Sequence, residues 1–275
     1  MKGKIVLITG ATRGIGRAGA EAMAQLGANL ILLGRDDGRL QETKAACESR
    51  GAGTVRVYRA DLSLRKAVAD LAHRISAYEP ALDVLWNNAG GYFAERMVTV
   101  EGYEKTWAMN HLAYFDFTQL LSPLLEKSDD PRVFCTASEA HRWGKMEWNN
   151  LQGERKWDGW KAYCNSKLAN LLYVAEQGRR LEGSHIRICA IHPGLVNSAF
   201  GDENKGLKSK VFLWLKRSFG RTNEQGTDSA VWLAARRERP KQGAYYSNRS
   251  EKIPSAAARD LEAAARLWRI SEGGP

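Results

Sequence analysis

Long apolar runs are missing from this chain: no stretch reaches the roughly 18 consecutive residues that mark a membrane-spanning helix. The first residues, Met1-Lys2-Gly3-Lys4, lead straight into a short apolar run and not into a signal-type segment, so a cytoplasmic protein with no membrane span is expected. Cysteine is sparse. Cys47, Cys135, Cys164 and Cys189 form no C-x-x-C pair and have no histidines at ligand spacing, which argues against a disulfide scaffold or a metal site and for small buried hydrophobes. Proline is also scarce, and there is no Pro/Ser-rich linker, low-complexity tract or internal repeat, so residues 1–275 are read as one domain.

Acidic residues are outnumbered by basic ones, 31 against 41, and the net charge of +10 favours anionic partners. The basic clusters Arg65-Lys66, Arg179-Arg180, Lys205 to Arg221 and Arg236 to Arg239 contain no nucleic-acid motif. They read as solvated surface, and nucleic acid is not expected as a partner. A phosphate-bearing cofactor would use only one or two of these charges.

What the chain does contain is a regular alternation. Apolar runs of strand length occur at Ile5 to Ile8, Asn29 to Leu33, Val55 to Arg59, Val84 to Trp86, Arg132 to Thr136 and Arg187 to Ile191, with a seventh near Ala244 to Ser247. Segments of helical period lie between them, such as Arg17 to Leu26 with Ala18, Ala22 and Leu26 one turn apart and Gly27 as a stop. Continuous apolar strands imply burial on both faces. The expected fold is therefore a doubly wound α/β sheet, seven-stranded and mostly parallel, with helices on both sides.

Two segments fit this pattern less well. Arg142 to Trp160, with four tryptophans, reads as a long loop placed to cover a pocket, and Ser198 to Gln225, with Val211 to Leu215, reads as a short amphipathic helix that either lids a substrate or lies on the surface.

The first strand runs into Thr9-Gly10-Ala11-Thr12-Arg13-Gly14-Ile15-Gly16 and then a helix. Glycines let the backbone turn and approach a ligand, while a helix start offers unpaired N–H groups to an anion. A phosphate fits there. Further along, Tyr163 and Lys167 stand one turn apart on a segment, Trp160 to Leu181, that reads as a single helix. A phenol with a reference pKa of about 10 exchanges protons poorly near neutrality, and a nearby ammonium is expected to lower it.

In order along the chain stand T-G-x-x-x-G-x-G at Thr9 to Gly16, Asp61 after a strand, Asn87-Asn88-Ala89-Gly90, Asn110, Ser138, Tyr163-Cys164-Asn165-Ser166-Lys167 and Pro193-Gly194. This series resembles the classical short-chain dehydrogenase/reductase family, over nearly the whole chain. Asn110-His111-Leu112, Ser138-Glu139-Ala140-His141 and the run to Leu168-Ala169-Asn170 are similar to its retinol dehydrogenase-like branch. Ala137 stands where members often carry Ser or Thr, and Ser198 where they often carry Thr.

The resemblance implies a Rossmann fold and a reaction that interconverts a carbonyl and an alcohol on a hydrophobic small molecule. Tyr163 would be general acid/base, Lys167 would tune it and bind the nicotinamide ribose, Ser138 would bind the carbonyl, and Asn110 would hold a water beside Lys167. Gly10, Thr12, Arg13, Gly14, Ile15 and Gly16 would take the cofactor phosphates, Asp61 and Leu62 the adenine, and Asn88, Ala89 and Gly90 the adenosine side. Pro193, Gly194, Val196 and Ser198 would meet the carboxamide. A homodimer or homotetramer is implied in the same way. Cofactor choice follows from charge: the second strand ends Leu33-Gly34-Arg35, and Arg35 with Arg13 suits a 2′-phosphate, hence NADP(H), although Asp36 and Asp37 stand beside them. All five histidines read as structural or surface residues. A dinucleotide-binding regulator without turnover is the alternative, but it has little need for Asn110, Ser138, Tyr163 and Lys167 together.

Overall fold

A computed structural model describes residues 1–196 and 221–273. Strands β1 (Ile5–Thr9), β2 (Asn29–Gly34), β3 (Val55–Arg59), β4 (Val84–Asn87), β5 (Arg132–Thr136), β6 (Arg187–His192) and β7 (Tyr245–Ser247) are parallel. An eighth, β8 (Ser250–Lys252), adds antiparallel to β7, so the described sheet runs β3-β2-β1-β4-β5-β6-β7-β8. This corrects the count of seven. β8 reads Ser-Glu-Lys and is exposed, so it has no apolar signal; the hairpin turn at Asn248 and Arg249, with φ of 55° and 56°, makes it.

Successive strand residues point to opposite faces, and the two faces hold different cores. Val6, Ile8, Leu30, Leu32 and Trp86 face helices α1 (Gly14–Gln25), α2 (Asp37–Ser49) and the later α7 (Asn223–Ala235). Leu7, Ile31, Leu33, Leu85 and Val133 face α3 (Arg65–Tyr78), α5 (Ala113–Leu125) and α6 (Gly159–Arg180). The four cysteines are all buried. α1 begins at Gly14, inside the glycine turn, not at Arg17. Between the short α4 (Lys105–Trp107) and α5 one turn, Ala108–Leu112, is π-helical, a local widening that often marks functional positions.

Of the segment expected as a lid, residues 198–220 lie outside the described residues. Arg221 pairs with Val196, and Thr222 caps α7 in a reciprocal box with Gln225. No helix among the described residues is long and apolar enough to cross a membrane.

The last helix, α8 (Leu261–Gly273), is fastened by Arg65. Its guanidinium grips the buried Asp116 carboxylate at 2.6 and 2.7 Å and donates to the Ser271 carbonyl at 3.1 Å, joining α3, α5 and α8. Removing one partner strands the other charge. Arg65→Met is expected to cost about 3 kcal/mol, measured as the loss of unfolding free energy in urea.

Candidate active site

The strand order reverses between β1 and β4, and their carboxyl ends diverge there into a crevice. The glycine turn follows β1 and Asn88-Ala89-Gly90 follows β4. Thr9 welds them: its hydroxyl oxygen accepts from the backbone N–H of both Asn88 and Ala89 at 2.8 Å, and Asn88 Nδ2 donates back to the Thr9 carbonyl at 2.9 Å. Gly10 and Gly14 have φ of +69° and +58°, a region costly for other residues. A Cβ on Gly10 would lie 2.9 Å from Ala89 Cα, and one on Gly16 would fall on the Gly10 carbonyl.

α1 starts without a side-chain cap at Arg13, which leaves its first N–H groups for a ligand. A cavity of about 560 Å³ opens over this turn, with Thr12, Arg13, Gly14 and Ile15 in its wall. Gly34, Arg35 and Leu62 line the same end, Asn88, Ala89 and Gly90 the middle, and Pro193, Gly194 and Val196 the far side. Ser198 lies outside the described residues. Gly16 sits behind the turn and shapes it without lining the cavity. Asp61 does not line it either; one carboxylate oxygen accepts from Ser63 N–H and hydroxyl at 3.0 and 2.8 Å, an Asx turn two residues on.

The catalytic candidates converge at the other end. Ser138, Tyr163 and Lys167 line the cavity. Ser138 is the residue before a 3₁₀ turn, Glu139–Trp143, and its hydroxyl also hydrogen-bonds the Tyr163 phenol. Lys167 is 4% exposed; its ammonium donates to the Thr136 carbonyl at 3.0 Å and lies 5.7 Å from the centre of the Tyr163 ring. Asn110, in the π turn, is buried behind them. Its side chain clamps Gly91, accepting from the N–H at 2.8 Å and donating to the carbonyl at 2.9 Å, and it donates to Ser166 at 3.0 Å.

Burial, not the ammonium, dominates the acidities. It pushes the Tyr163 phenol up to about 12, against a downward pull from the Ser138 hydroxyl, and pushes Lys167 down to about 8. The expectation of a lowered phenol pKa is therefore corrected for this structure: one N–H of Lys167 points at the Thr136 carbonyl, and burial desolvates both groups. Near neutrality the phenol carries its proton and the amine is mostly charged.

Several functional positions escaped sequence reasoning. Thr9 and Thr136 act through a hydroxyl and a backbone carbonyl, which no residue-type pattern exposes. By contrast, the tryptophan-rich segment expected over a pocket does supply lining: Trp143 and Trp160 both line the cavity, with ring centres 6.3 Å apart and Trp160 at 5.9 Å from Tyr163. His192 also lines it, its imidazole pushed down to about 4 by burial.

An uncapped helix start, a glycine cradle that a Cβ would fill and a proton-bearing phenol at the opposite end fit a nicotinamide dinucleotide beside a carbonyl or alcohol. The comparisons with known proteins agree. The family model described as short chain dehydrogenase matches residues 4–206. Retinol dehydrogenase 14 of Mus musculus is 33% identical over 99% of this chain and 86% of its own length. Among solved structures, a protein from Mycobacterium paratuberculosis superposes with a TM-score of 0.79 at 29% identity, covering 99% of this chain and 93% of that one. A short chain dehydrogenase from Escherichia coli CFT073, solved with NADPH, gives 0.70 at 25% identity, covering 90% of this chain and 96% of that one. The chain belongs to the short-chain dehydrogenase/reductase family of oxidoreductases, in its retinol dehydrogenase-like branch.

Proposed function

We propose that the protein is an NADP(H)-dependent oxidoreductase that reduces hydrophobic aldehydes or ketones and, in reverse, oxidises the corresponding alcohols. The observation that carries this reading is the convergence of the Tyr163 phenol, Ser138 hydroxyl and Lys167 ammonium in one cavity with the uncapped turn of α1. A bound nicotinamide supplies the hydride. The residues do the rest: Ser138 orients the substrate oxygen, Tyr163 gives it a proton, and the buried Lys167 cation stabilises negative charge that develops beside it. Asn110 keeps the Gly90-Gly91 backbone fixed against Lys167, while Leu62 serves the adenine end and Asp61 shapes the turn that carries it.

Arg13 and Arg35 favour a 2′-phosphate. The carboxylate that stood against this choice is turned away, since Asp36 caps α2 by accepting from Arg39 N–H at 3.1 Å, and neither Asp36 nor Asp37 lines the cavity. The NADPH bound by the E. coli relative supports the same choice. Trp143 and Trp160, 67% and 43% exposed on the rim, favour a flat or aromatic substrate that covers them. Steady-state kinetics with both cofactors and a carbonyl panel test the proposal. Arg35→Ala should lower the ratio of kcat/KM for NADPH over NADH by about ten- to a hundred-fold, the worth of one charge-assisted hydrogen bond. An unchanged ratio removes the NADP(H) assignment.

A further inference from the structure

Two buried histidines take no part in the chemistry described above, yet each links the catalytic candidates, His141 directly and His111 through Asn170, to the chain beyond β8. His141 is fully buried. Its Nδ1 lies 2.7 Å from the Ser138 carbonyl, and its Nε2 accepts from Ser255 N–H at 3.1 Å. Since Nε2 accepts, the single ring proton is on Nδ1 and donates to Ser138.

His111, next to Asn110, is held by the same logic one step removed. Asn170 donates its amide to the Asn110 carbonyl at 2.9 Å, and the same amide is 3.5 Å from the Thr136 carbonyl that receives Lys167. The Asn170 oxygen therefore faces His111 Nδ1, at 3.3 Å, and needs a donor. With the ring proton on Nδ1, His111 Nε2 accepts from the Ser271 hydroxyl of α8 at 2.8 Å, which turns that proton away from the Leu267 carbonyl 2.9 Å from the same oxygen. The opposite tautomer would set two lone pairs against each other in a site where Asn110, His111, Asn170 and Ser271 all have no solvent exposure.

We propose that His111 and His141 are positioning residues for the catalytic constellation, each fixed as the neutral Nδ1–H tautomer by the chain that follows β8. His141 sets the Ser138 backbone, and His111 sets Asn170 and through it the Asn110 carbonyl and the Thr136 carbonyl that receives Lys167. Burial lowers the pKa of both rings, which keeps them neutral at pH 7. A solvent-exposed neutral histidine side chain prefers its proton on Nε2, so the arrangement imposes the less common form.

The proposal rests on the catalytic reading above, and its test has an arm that needs no turnover. Nitrogen-15 NMR of the histidine rings at pH 7, assigned by single substitutions, should show His111 and His141 as Nδ1–H tautomers; either ring in the Nε2–H form overturns the proposal. In the second arm, asparagine places an amide donor where Nδ1–H was, whereas glutamine reaches only the Nε2 position. His111→Gln and His141→Gln should each lower kcat at least about ten-fold with the KM for NADPH within about two-fold, and His111→Asn and His141→Asn should stay within about three-fold of wild type, as expected for sub-ångström misplacement. Equal losses in the Asn and Gln variants, in step with melting temperature, mark a merely structural role and also overturn it. A wild-type enzyme with no NADPH-dependent turnover counts against the catalytic reading, while the tautomers still decide the inference.

Discussion

Tyr163→Phe is expected to lower kcat for carbonyl reduction by about a thousand-fold, while the Kd for NADPH stays within about three-fold of wild type. The substitution removes one oxygen from a side chain that is 9% exposed, so the ring still fills its place beside Trp160 and Tyr92. What goes is the group proposed to deliver a proton. In this structure the phenol is protonated near neutrality because burial holds it at about 12, and an acid in that state suits reduction, where the substrate oxygen gains a proton as the carbonyl carbon gains hydride. Ser138 keeps its bond to Ala140 N–H at 3.2 Å in the variant and its hydroxyl remains to orient the substrate, so binding survives. Stopped-flow hydride transfer together with calorimetric NADPH titration separates the two effects. Turnover within ten-fold of wild type would remove Tyr163 as the acid, and the regulator reading predicts no change because it has no turnover to lose.

That assignment was open to sequence reasoning because a helix brings residues four apart to one face whatever the surroundings, and Gly159–Arg180 is indeed one helix. The parallel strands were legible for a related reason: Leu7 faces one core and Ile8 the other, so no polar residue interrupts the run. Where one face meets water the signal fades. β8 is wholly exposed and was missed. The start of α1 was placed three residues late, since Gly14-Ile15-Gly16 reads locally as turn, and only the β4 loop packed against it explains why a helix starts with glycines.

Acidity was not legible at all. A Tyr-Lys spacing says that a phenol and an amine share a face, but the direction of each pKa depends on how much water the fold removes, a sum over many distant residues. The same holds for the roles of Asn170 and the two histidines, whose partners lie at Ser255 and Ser271, far along the chain. Asp61 shows a local competition. Ser63, two residues on, takes the carboxylate oxygen that a ligand contact would otherwise use, and the D-x-S pattern carried that possibility in plain view.

Gly16→Val should weaken NADPH binding by about a hundred-fold or more, because it deforms the cradle from behind. A Cβ at this position would sit on the Gly10 carbonyl and 2.6 Å from Asn88 Nδ2, and neither can move freely. The Gly10 backbone is held in a left-handed turn against Ala89, and Asn88 is tied to Thr9. The added side chain must therefore push the turn away from the start of α1, separating the anion-binding N–H groups from the β4 loop that covers the other side of the ligand. Overpacking of this kind also costs about 1–3 kcal/mol of stability, so the binding measurement is made well below the melting transition of the variant. Gly273→Ala serves as control, since a Cβ there meets nothing within 4 Å. If Gly16→Val binds NADPH as wild type does, the glycine turn is not where the dinucleotide phosphates rest. The cavity would then have to accept its cofactor in some other orientation, and the pairing of Arg13 and Arg35 with a 2′-phosphate would fall with it.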